Sequence, residues 1–510
     1  MRIERTKNAS RNFAYGIFYR FYSIVFPFVI RTAIIYLLGV EYLGLNSLFS
    51  SILQVLNLAE LGVGSAMVFS MYAPIARNDS SKICSLMKLY RIYYRIIGLV
   101  ILLGGVILSP IIPMLIEQDV PPSINIYILY YLNLLATILT YWLFAYRNCL
   151  FQAFQRIDII TKTTLISDTV KYCGQLVALA VFHDLYIFFI VGILGQVFNN
   201  ILILLFSKKY YPDLNPTGSI QKEERKTING RIRDLFTSKL GWTIVSSADT
   251  IVISAFLGLK VLAVYQNYYY IVSALQGMII ILFNSVVAGS GNSMIVDSNE
   301  KNYHDLKKLS FITFWLLGYC CAGILCIMQI FMKVWVGDEL LLPFYFVILF
   351  CIYLTGNIIV QLLSVYKDAA GIWHKDRFRP LASGITNLGL NLIFVNYFNL
   401  MGVVLSTIIS VFFVSVPWII KNVFILIFPG RFRDYFRLMI NMLCAISISA
   451  IFPYLICYAI EGDGIGKLVL NLVICTTGYN LAMYIIYRRS EILSELFSTM
   501  KILARNRSSK

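Results

Sequence analysis

The sequence predicts an all-α polytopic membrane protein with about 14 transmembrane helices. Hydrophobic residues make up 59% of the 510 residues and charged residues only 14%, whereas a soluble domain has about a quarter charged. Apolar runs of about 20 residues, each long enough to cross a bilayer as a helix, recur up to the C-terminal end. The sequence lacks the alternating segments of about ten residues that a membrane β-barrel requires.

The apolar runs give the order of the predicted helices, because polar and charged clusters interrupt the hydrophobic sequence between them. The predicted spans are 13–38, 43–73, 90–116, 124–146, 158–182, 185–206, 236–257, 262–289, 308–333, 341–366, 380–398, 401–427, 436–460 and 466–487.

Lysine and arginine are distributed unevenly about these spans. If the N-terminus is inside, 36 of the 43 fall in inner segments or at span ends, and three, Lys260, Lys333 and Lys467, fall outside. Acids such as Glu117 and Asp119 occupy the outer loops. This positive-inside bias predicts that both termini are cytoplasmic. The net charge of +17 then comes mainly from lysines and arginines that set the orientation of the chain and lie near anionic lipid headgroups. We therefore expect no nucleic-acid partner.

The longest predicted loop is basic and separates six spans from eight, which indicates two lobes. A weak repeat supports this, because LGVEYLG at 38–44 resembles LGLKVLA at 257–263 in the same topological position. We predict a pseudo-two-fold axis along the membrane normal, with a binding site between the halves. The predicted domains are an N-terminal six-helix lobe (1–206), a basic cytoplasmic linker (207–235), a C-terminal six-helix lobe (236–427), and two additional helices with a basic cytoplasmic tail (428–510).

Two arginines, Arg20 and Arg31, lie within the first predicted span. A guanidinium is costly in hydrocarbon, so an intramembrane arginine usually faces a water-filled cavity or a partner. Their spacing of eleven residues puts them within about 20° of each other on a helix and about 16 Å apart along its axis. We therefore expect one helix face to present two cations to an extended anion. Snorkelling to the interfaces is the alternative, and it suits Arg20 better than Arg31.

Glu60 lies near the middle of the second span, in the small-residue sequence AELGVGSA. By depth it falls between the two arginines, so we expect it to pair with either one. A buried ion pair that fixes the first two helices and a role in substrate binding both remain open.

Three further charged residues lie within spans. Asp249, in the sequence SSADT of the seventh span, has a carboxylate among hydroxyls, which suits ion coupling or gating. Asp168 and Lys171 are one helical turn apart in the fifth span. We expect them to neutralise each other as a structural pair.

Familiar catalytic patterns are absent from the sequence. It has no G-x-x-x-x-G-K-[ST] phosphate loop, and its three histidines are scattered in predicted loops. The predicted outer loops are too short to form a catalytic domain. We therefore expect no enzymatic activity, cofactor or metal, and transport driven by an ion gradient, the membrane potential or substrate flux.

The stretch 31–74 resembles the polysaccharide transporter family of the MOP flippase superfamily. The resemblance is carried by LGVEYLGLN at 38–46, LFS at 48–50 and LAELGVGSA at 58–66, a string typical of bacterial capsule and O-antigen repeat-unit flippases. The layout of spans and the central basic loop extend it over nearly the whole chain, although the later spans match in pattern only.

The resemblance implies a flippase that moves undecaprenyl-diphosphate-linked oligosaccharide repeat units from the inner to the outer leaflet of the bacterial cytoplasmic (inner) membrane. It implies alternating access by two lobes in a V, with a cationic cavity in which Arg20 and Arg31 would handle the diphosphate. Expected partners are the lipid-linked substrate, membrane lipids, and an assembly with a polysaccharide polymerase and glycosyltransferases. One departure is that spans seven and eight carry no arginine, only Asp249.

Other functions remain open. A lipid II flippase and a multidrug exporter belong to the same superfamily, although an exporter of cationic drugs favours a cavity of acids. A membrane polysaccharide polymerase is less favoured. Such enzymes have many spans and a large outer loop that carries reactive groups, whereas the predicted outer loops of this chain are short.

Overall fold

Helices dominate the computed structural model, which describes residues 5–60, 62–116, 120–122 and 124–498. Within those residues the backbone forms sixteen α-helices and no β-strand. Glu117, Asp119 and the tail from residue 499 lie outside the described residues. The helices are α1 (Arg5–Leu37), α2 (Val40–Leu56), α3 (Val63–Ala76), α4 (Ser80–Leu108), α5 (Ile126–Trp142), α6 (Asn148–Ala153), α7 (Ile157–Val177), α8 (Leu185–Tyr210), α9 (Lys222–Val296), α10 (Asn299–Val336), α11 (Phe344–Ala369), α12 (Trp373–Asp376), α13 (Arg379–Ser410), α14 (Val416–Leu426), α15 (Phe432–Ala459) and α16 (Gly464–Tyr487).

Ten helical segments in the described part of the chain are long and apolar enough to cross a membrane. The count becomes eleven if α5 and the bent segment 145–153 form one span. Two of the ten, 239–283 and 374–426, are 45 and 53 residues long, about twice what a bilayer requires. Each contains one residue with non-helical backbone angles, Gly258 (φ 86°) and Asn399 (φ 50°). The sequence divides both segments into two spans at these places, which accounts for part of the difference from fourteen.

The second predicted span, 43–73, is interrupted near its centre. Its first part is α2 and its second part is α3, and a 3₁₀ turn at Asn57–Glu60 follows α2. Gly62 has φ 90°, a left-handed conformation that glycine adopts at little cost. Glu60 therefore lies on an irregular turn rather than on a continuous helix.

The predicted linker 207–235 is only partly a loop, because α9 already begins at Lys222. The early part of α9 is fastened to α3 and α4. Lys82 forms an ion pair with Glu224, and the Arg231 guanidinium lies 4.7 Å from the ring centroid of Phe69. Charged residues that suggest a solvated loop in the sequence thus hold the start of α9 against α3 and α4.

The chain divides into two compact units. Unit 1 comprises Met1–Ala263 and Leu388–Val403, and unit 2 comprises Val264–Asn387 and Val404–Lys510. The first boundary, after Ala263, lies within α9 shortly beyond the kink at Gly258, not in the predicted linker. The predicted lobes at 1–206 and 236–427 therefore stay a prediction.

The last two long helices, α15 and α16, pack on α10 within unit 2. Polar side chains fasten this packing: the Trp315 indole donates to Asn480 (2.9 Å) and the Tyr479 hydroxyl donates to the Trp315 carbonyl (2.9 Å). Hydrogen bonds of this kind join helices where apolar contacts alone give little preference. The two predicted additional helices thus form a joint three-helix core with α10.

Candidate functional site

The two predicted cations of the site, Arg20 and Arg31, lie on α1, and both side chains are partly buried. The Nε atom of Arg20 is buried and has no hydrogen-bond partner in the described part of the chain. A buried guanidinium N–H without a partner is unusual in a folded protein, because leaving it unsatisfied costs free energy.

α1 packs against α7 and α2 within unit 1. Aromatic rings fill the α1–α7 contact: Tyr22 and Phe26 stack with centroids 4.3 Å apart, and Phe26 stacks on Tyr172 at 5.8 Å. The Tyr22 hydroxyl lies 2.9 Å from the Thr169 hydroxyl. These contacts fix the rotation of the helix that carries both arginines.

Asp168 and Lys171 lie at the same α1–α7 contact. Their carboxylate and ammonium groups are 2.6 Å apart. The Tyr19 hydroxyl, one residue before Arg20, is 3.5 Å from Asp168, and the Lys171 ammonium lies 4.4 Å from the Tyr172 ring centroid. The geometry matches a structural pair that also touches α1, and its role stays a prediction.

Glu60 is held by tyrosines. Tyr94 of α4 donates to one carboxylate oxygen (2.7 Å), and Tyr141 of α5 donates to the other (2.8 Å). The Tyr141 hydroxyl also lies 3.1 Å from the Asn57 amide oxygen. The expected pairing with Arg20 or Arg31 is not among the contacts of Glu60 in the described part of the chain. The sequence contains these tyrosines, but residues from three separate segments meet here, and spacing alone does not reveal that.

Asp249 is buried in unit 1, with 8% of its surface exposed. The Asn391 amide of α13 donates to its carboxylate at 2.7 Å. Nearby on α9, Ser246 and Ser247 exchange hydrogen bonds with the Gln54 amide of α2 at 3.1 and 3.3 Å. The sequence does not identify Asn391 as the partner of Asp249. The available signal was the four-residue spacing of two span amides, Asn387 and Asn391, which places both on one helix face.

Two clusters of charged residues that the sequence does not predict each surround a buried aspartate next to a connecting turn. In unit 2, Arg379 forms a bidentate contact with Asp376 (2.9 and 3.0 Å), and Lys367 lies 3.4 Å from the same carboxylate. In unit 1, Arg156 pairs with the buried Asp158 at 2.9 Å. Because the partners follow one another within a short turn, these clusters stabilise the turns themselves.

The sequence of this chain matches the polysaccharide biosynthesis protein family over residues 9–288, a segment that includes most of α1, the Glu60 turn and Asp249. The chain belongs to this family. Comparison with curated protein sequences gives no match.

Solved structures of MOP superfamily transporters share the fold of this family member. The lipid II flippase MurJ in an inward closed conformation matches with a TM-score of 0.72 and 15% identity, over 94% of this chain and 99% of that one. An inward-facing multidrug resistance MATE transporter of the MOP superfamily matches with a TM-score of 0.60 and 14% identity, over 78% and 93%. A MATE structure in a bent conformation matches with a TM-score of 0.51 and 13% identity, over 84% and 94%.

Family membership, the shared fold and the ten long apolar helices of the described residues are those of a multi-pass membrane protein with an all-helical architecture. Within the described residues there is no cluster of three or more His, Cys, Asp or Glu side chains that could hold a metal ion.

Proposed function

We propose that this protein is a flippase for undecaprenyl-diphosphate-linked oligosaccharide repeat units, which it moves from the inner to the outer leaflet for O-antigen or capsule synthesis. Membership of the polysaccharide biosynthesis family supports the pathway, and the fold supports transport by alternating access rather than catalysis. The observation that carries the proposal is the Nε of Arg20, which is buried without a hydrogen-bond partner among the described residues, on a helix that also bears Arg31.

The chemistry of a lipid diphosphate suits this arrangement. A guanidinium presents a planar fork of N–H donors that matches phosphate oxygens, and it stays charged in a poorly hydrated cavity. Two guanidinium groups along one helix offer successive positions to a diphosphate as it crosses, while the lipid tail stays in the bilayer. Pro27 lies between them and leaves one helix carbonyl without its usual donor.

The proposal places the protein in the bacterial cytoplasmic membrane, with fourteen spans, two six-helix lobes and both termini cytoplasmic. The kinks at Gly258 and Asn399 support the higher count of spans. Asp249, with its amide partner Asn391, is proposed as the site of ion coupling or gating. Partners would include glycosyltransferases, which act before flipping, and a polymerase, which acts after it.

Liposomes that contain the purified protein and a lipid-linked oligosaccharide test the function. Leaflet exchange of the sugar should require the protein, and Arg20→Gln should slow it, because glutamine keeps a polar side chain but has neither the charge nor the guanidinium fork. In cells, deletion should stop surface polysaccharide while the lipid-linked unit accumulates on the cytoplasmic side.

The alternatives predict other outcomes. If lipid II crosses and the oligosaccharide repeat unit does not, the protein is a lipid II flippase. If single repeat units still reach the outer face after deletion and only chain growth stops, the polymerase interpretation replaces the flippase. Efflux of cationic compounds without sugar transport would indicate a drug exporter.

A further inference from the structure

One buried arginine of unit 1 has no acidic partner in the described part of the chain. Arg147 lies in the turn between α5 and α6 and is 4% exposed. Its Nη1 atom donates to the Ser207 hydroxyl of α8 at 2.9 Å, and its Nε atom is buried without a hydrogen-bond partner among the described residues. One neutral hydroxyl does not compensate for this charge, because burying a guanidinium costs free energy unless an opposite charge pairs with it.

A second guanidinium lies against the same aromatic ring as Arg147. The guanidinium carbon of Arg147 is 5.9 Å from the centroid of the Tyr146 ring, and that of Arg91 on α4 is 5.8 Å from it. Within the described residues, no carboxylate pairs with Arg91 either. Two like charges repel more strongly near an apolar interior than in water, and the attraction of a ring face is weaker than the cost of burying an ion. A negative charge at this place would relieve both the repulsion and the cost of burial.

Two comparable cations of the chain have such a charge beside them. Arg156 forms an ion pair with Asp158, and Arg379 forms one with Asp376. Both aspartates are buried, so the protein itself supplies the compensating anion at these positions. At Arg147 the described part of the chain supplies none, which indicates that the compensating anion is a ligand.

The surface next to the two arginines is suited to lipid. On α4 the apolar side chains of Ile92 and Ile96 are exposed beside Arg91. Trp142 of α5 is exposed as well, and its indole donates to a backbone carbonyl of α4 at 3.2 Å. Tryptophan is enriched where a membrane meets water, and the sequence places Arg91 and Arg147 at the inner ends of the third and fourth predicted spans. The two arginines therefore lie where the headgroups of the cytoplasmic leaflet are expected.

We infer that Arg91 and Arg147 form a binding site for an anionic glycerophospholipid of the cytoplasmic leaflet. Arg91 is half-buried, so its guanidinium fork can contact the lipid phosphate directly. Arg147 is more buried and contributes its charge, while the exposed isoleucines of α4 contact an acyl chain. Phosphatidylglycerol fits this arrangement, whereas phosphatidylethanolamine carries an ammonium that would meet two guanidinium groups. Free phosphate would satisfy the charges but leave the apolar surface uncovered.

A lipid bound at this site connects the inner ends of three helices. Arg91 belongs to α4, Tyr146 and Arg147 follow α5, and Ser207 lies near the end of α8. The phosphate attracts both guanidinium groups, and Arg147 is in turn bonded to Ser207, so the lipid holds these ends together. A ligand that binds only the folded chain raises its stability. Such a site does not depend on what the protein transports.

Thermal unfolding of the purified full chain in detergent with added lipid tests the site. Phosphatidylglycerol should raise the unfolding midpoint of the wild type at concentrations at which phosphatidylethanolamine has little effect. Arg91→Gln should weaken phosphatidylglycerol binding by about tenfold, because the fork and its charge are gone, and Arg91→Lys should recover part of it. Native mass spectrometry of the same samples counts the lipid molecules that stay bound.

Lys208→Gln is the matched control for Arg91→Gln. It removes one positive charge next to Ser207 at the end of α8, but from an exposed side chain. Because such an ammonium is hydrated and screened by salt, its loss should change phosphatidylglycerol binding by less than about twofold.

Tryptophan fluorescence locates the lipid without any change of charge in the protein. In liposomes, phosphatidylglycerol with brominated acyl chains should quench Trp142 more than brominated phosphatidylethanolamine does at the same mole fraction. Trp142→Phe identifies the part of the signal that belongs to this residue.

Other results would overturn the inference. Equal midpoint shifts with phosphatidylglycerol and phosphatidylethanolamine would show that the charge of the headgroup is not recognised. Equal losses of binding in Arg91→Gln and Lys208→Gln would assign the attraction to general surface charge. An equal shift with inorganic phosphate would make the ligand a free anion, and preferential binding of undecaprenyl diphosphate would make it the transported lipid.

Discussion

Arg31 is the residue whose replacement best separates a substrate contact from a structural one. Arg31→Ala should abolish transport of the lipid-linked sugar while membrane abundance stays near normal. Arg31→Lys should rescue transport only in part, because an ammonium lacks the planar fork of donors. Initial rates in liposomes, normalised to protein, measure both.

Arg95→Ala is the matched control, because Arg95 is also within a predicted span but its side chain is exposed. We expect it to transport normally. Normal transport by Arg31→Ala would remove this residue from the substrate site, and its loss from the membrane would assign it to folding instead.

Asp249 carries the residue-scale prediction for ion coupling. Asp249→Asn keeps the shape of the side chain and removes its charge, so it should slow transport and flatten its dependence on pH or Na⁺. The Asn391 amide that now donates to the carboxylate can still reach the substituted amide oxygen, which favours folding.

Asp463→Asn, at an exposed acid near the start of α16, should leave both rate and ion dependence unchanged. If Asp249→Asn transports at the normal rate with unchanged ion dependence, Asp249 has no part in coupling.

Among the elements, the contact of α2 with α9 joins the two segments of the internal repeat. A Cβ added at Gly44 would lie 2.4 Å from the Leu259 carbonyl oxygen and 3.0 Å from the Leu259 Cβ. Because the obstructing atom is backbone, Gly44→Ala must separate the helices, at a cost of about 1–3 kcal/mol. Thermal unfolding in detergent should show a lower midpoint.

Gly323→Ala provides the comparison, since an added Cβ there meets no atom within 4 Å. It should be neutral or slightly stabilising, because alanine favours the helix more than glycine does. Equal unfolding midpoints for the two variants would show that α2 and α9 do not meet closely at Gly44.

The elements also show where sequence reasoning succeeds and where it fails. Long apolar runs predict α7 and α8 closely, because burial in lipid demands length and composition that a sequence displays directly. The sequence does not predict the turn at Asn57–Glu60, since these residues are compatible with a helix and the tyrosines that hold the turn come from α4 and α5. The sequence predicts a loop at the charged start of α9, because the partners that hold this helix on α3 and α4 are distant in sequence.

For the whole molecule, the sequence predicts the charged residues of the candidate site but not the groups that contact them. An arginine or carboxylate in an apolar run is visible in the sequence and costly in lipid, so the sequence alone identifies Arg20, Arg31, Glu60 and Asp249 as candidates. Which groups compensate for each charge depends on helix packing. The tyrosines at Glu60 are therefore a finding of the structure alone.

Topology is the property of the whole molecule on which the direction of transport depends. The 36 inner and three outer cations predict that residues 207–235 and the C-terminal tail are cytoplasmic and that the outer ends of α15 and α16 are external. Reporter fusions at Lys222 and Lys510 should read cytoplasmic, and those at Asp119 and Asp463 external. Lys333, one of the three outer cations, lies 3.1 Å from Asp463, so both residues of this contact should lie on the same side of the membrane.

A cytoplasmic signal at Asp463 together with an external one at Lys222 would invert the chain and reverse the proposed direction of transport. A cytoplasmic signal at Asp119 alone would change the number of spans in the first lobe and remove the basis for two lobes of equal orientation.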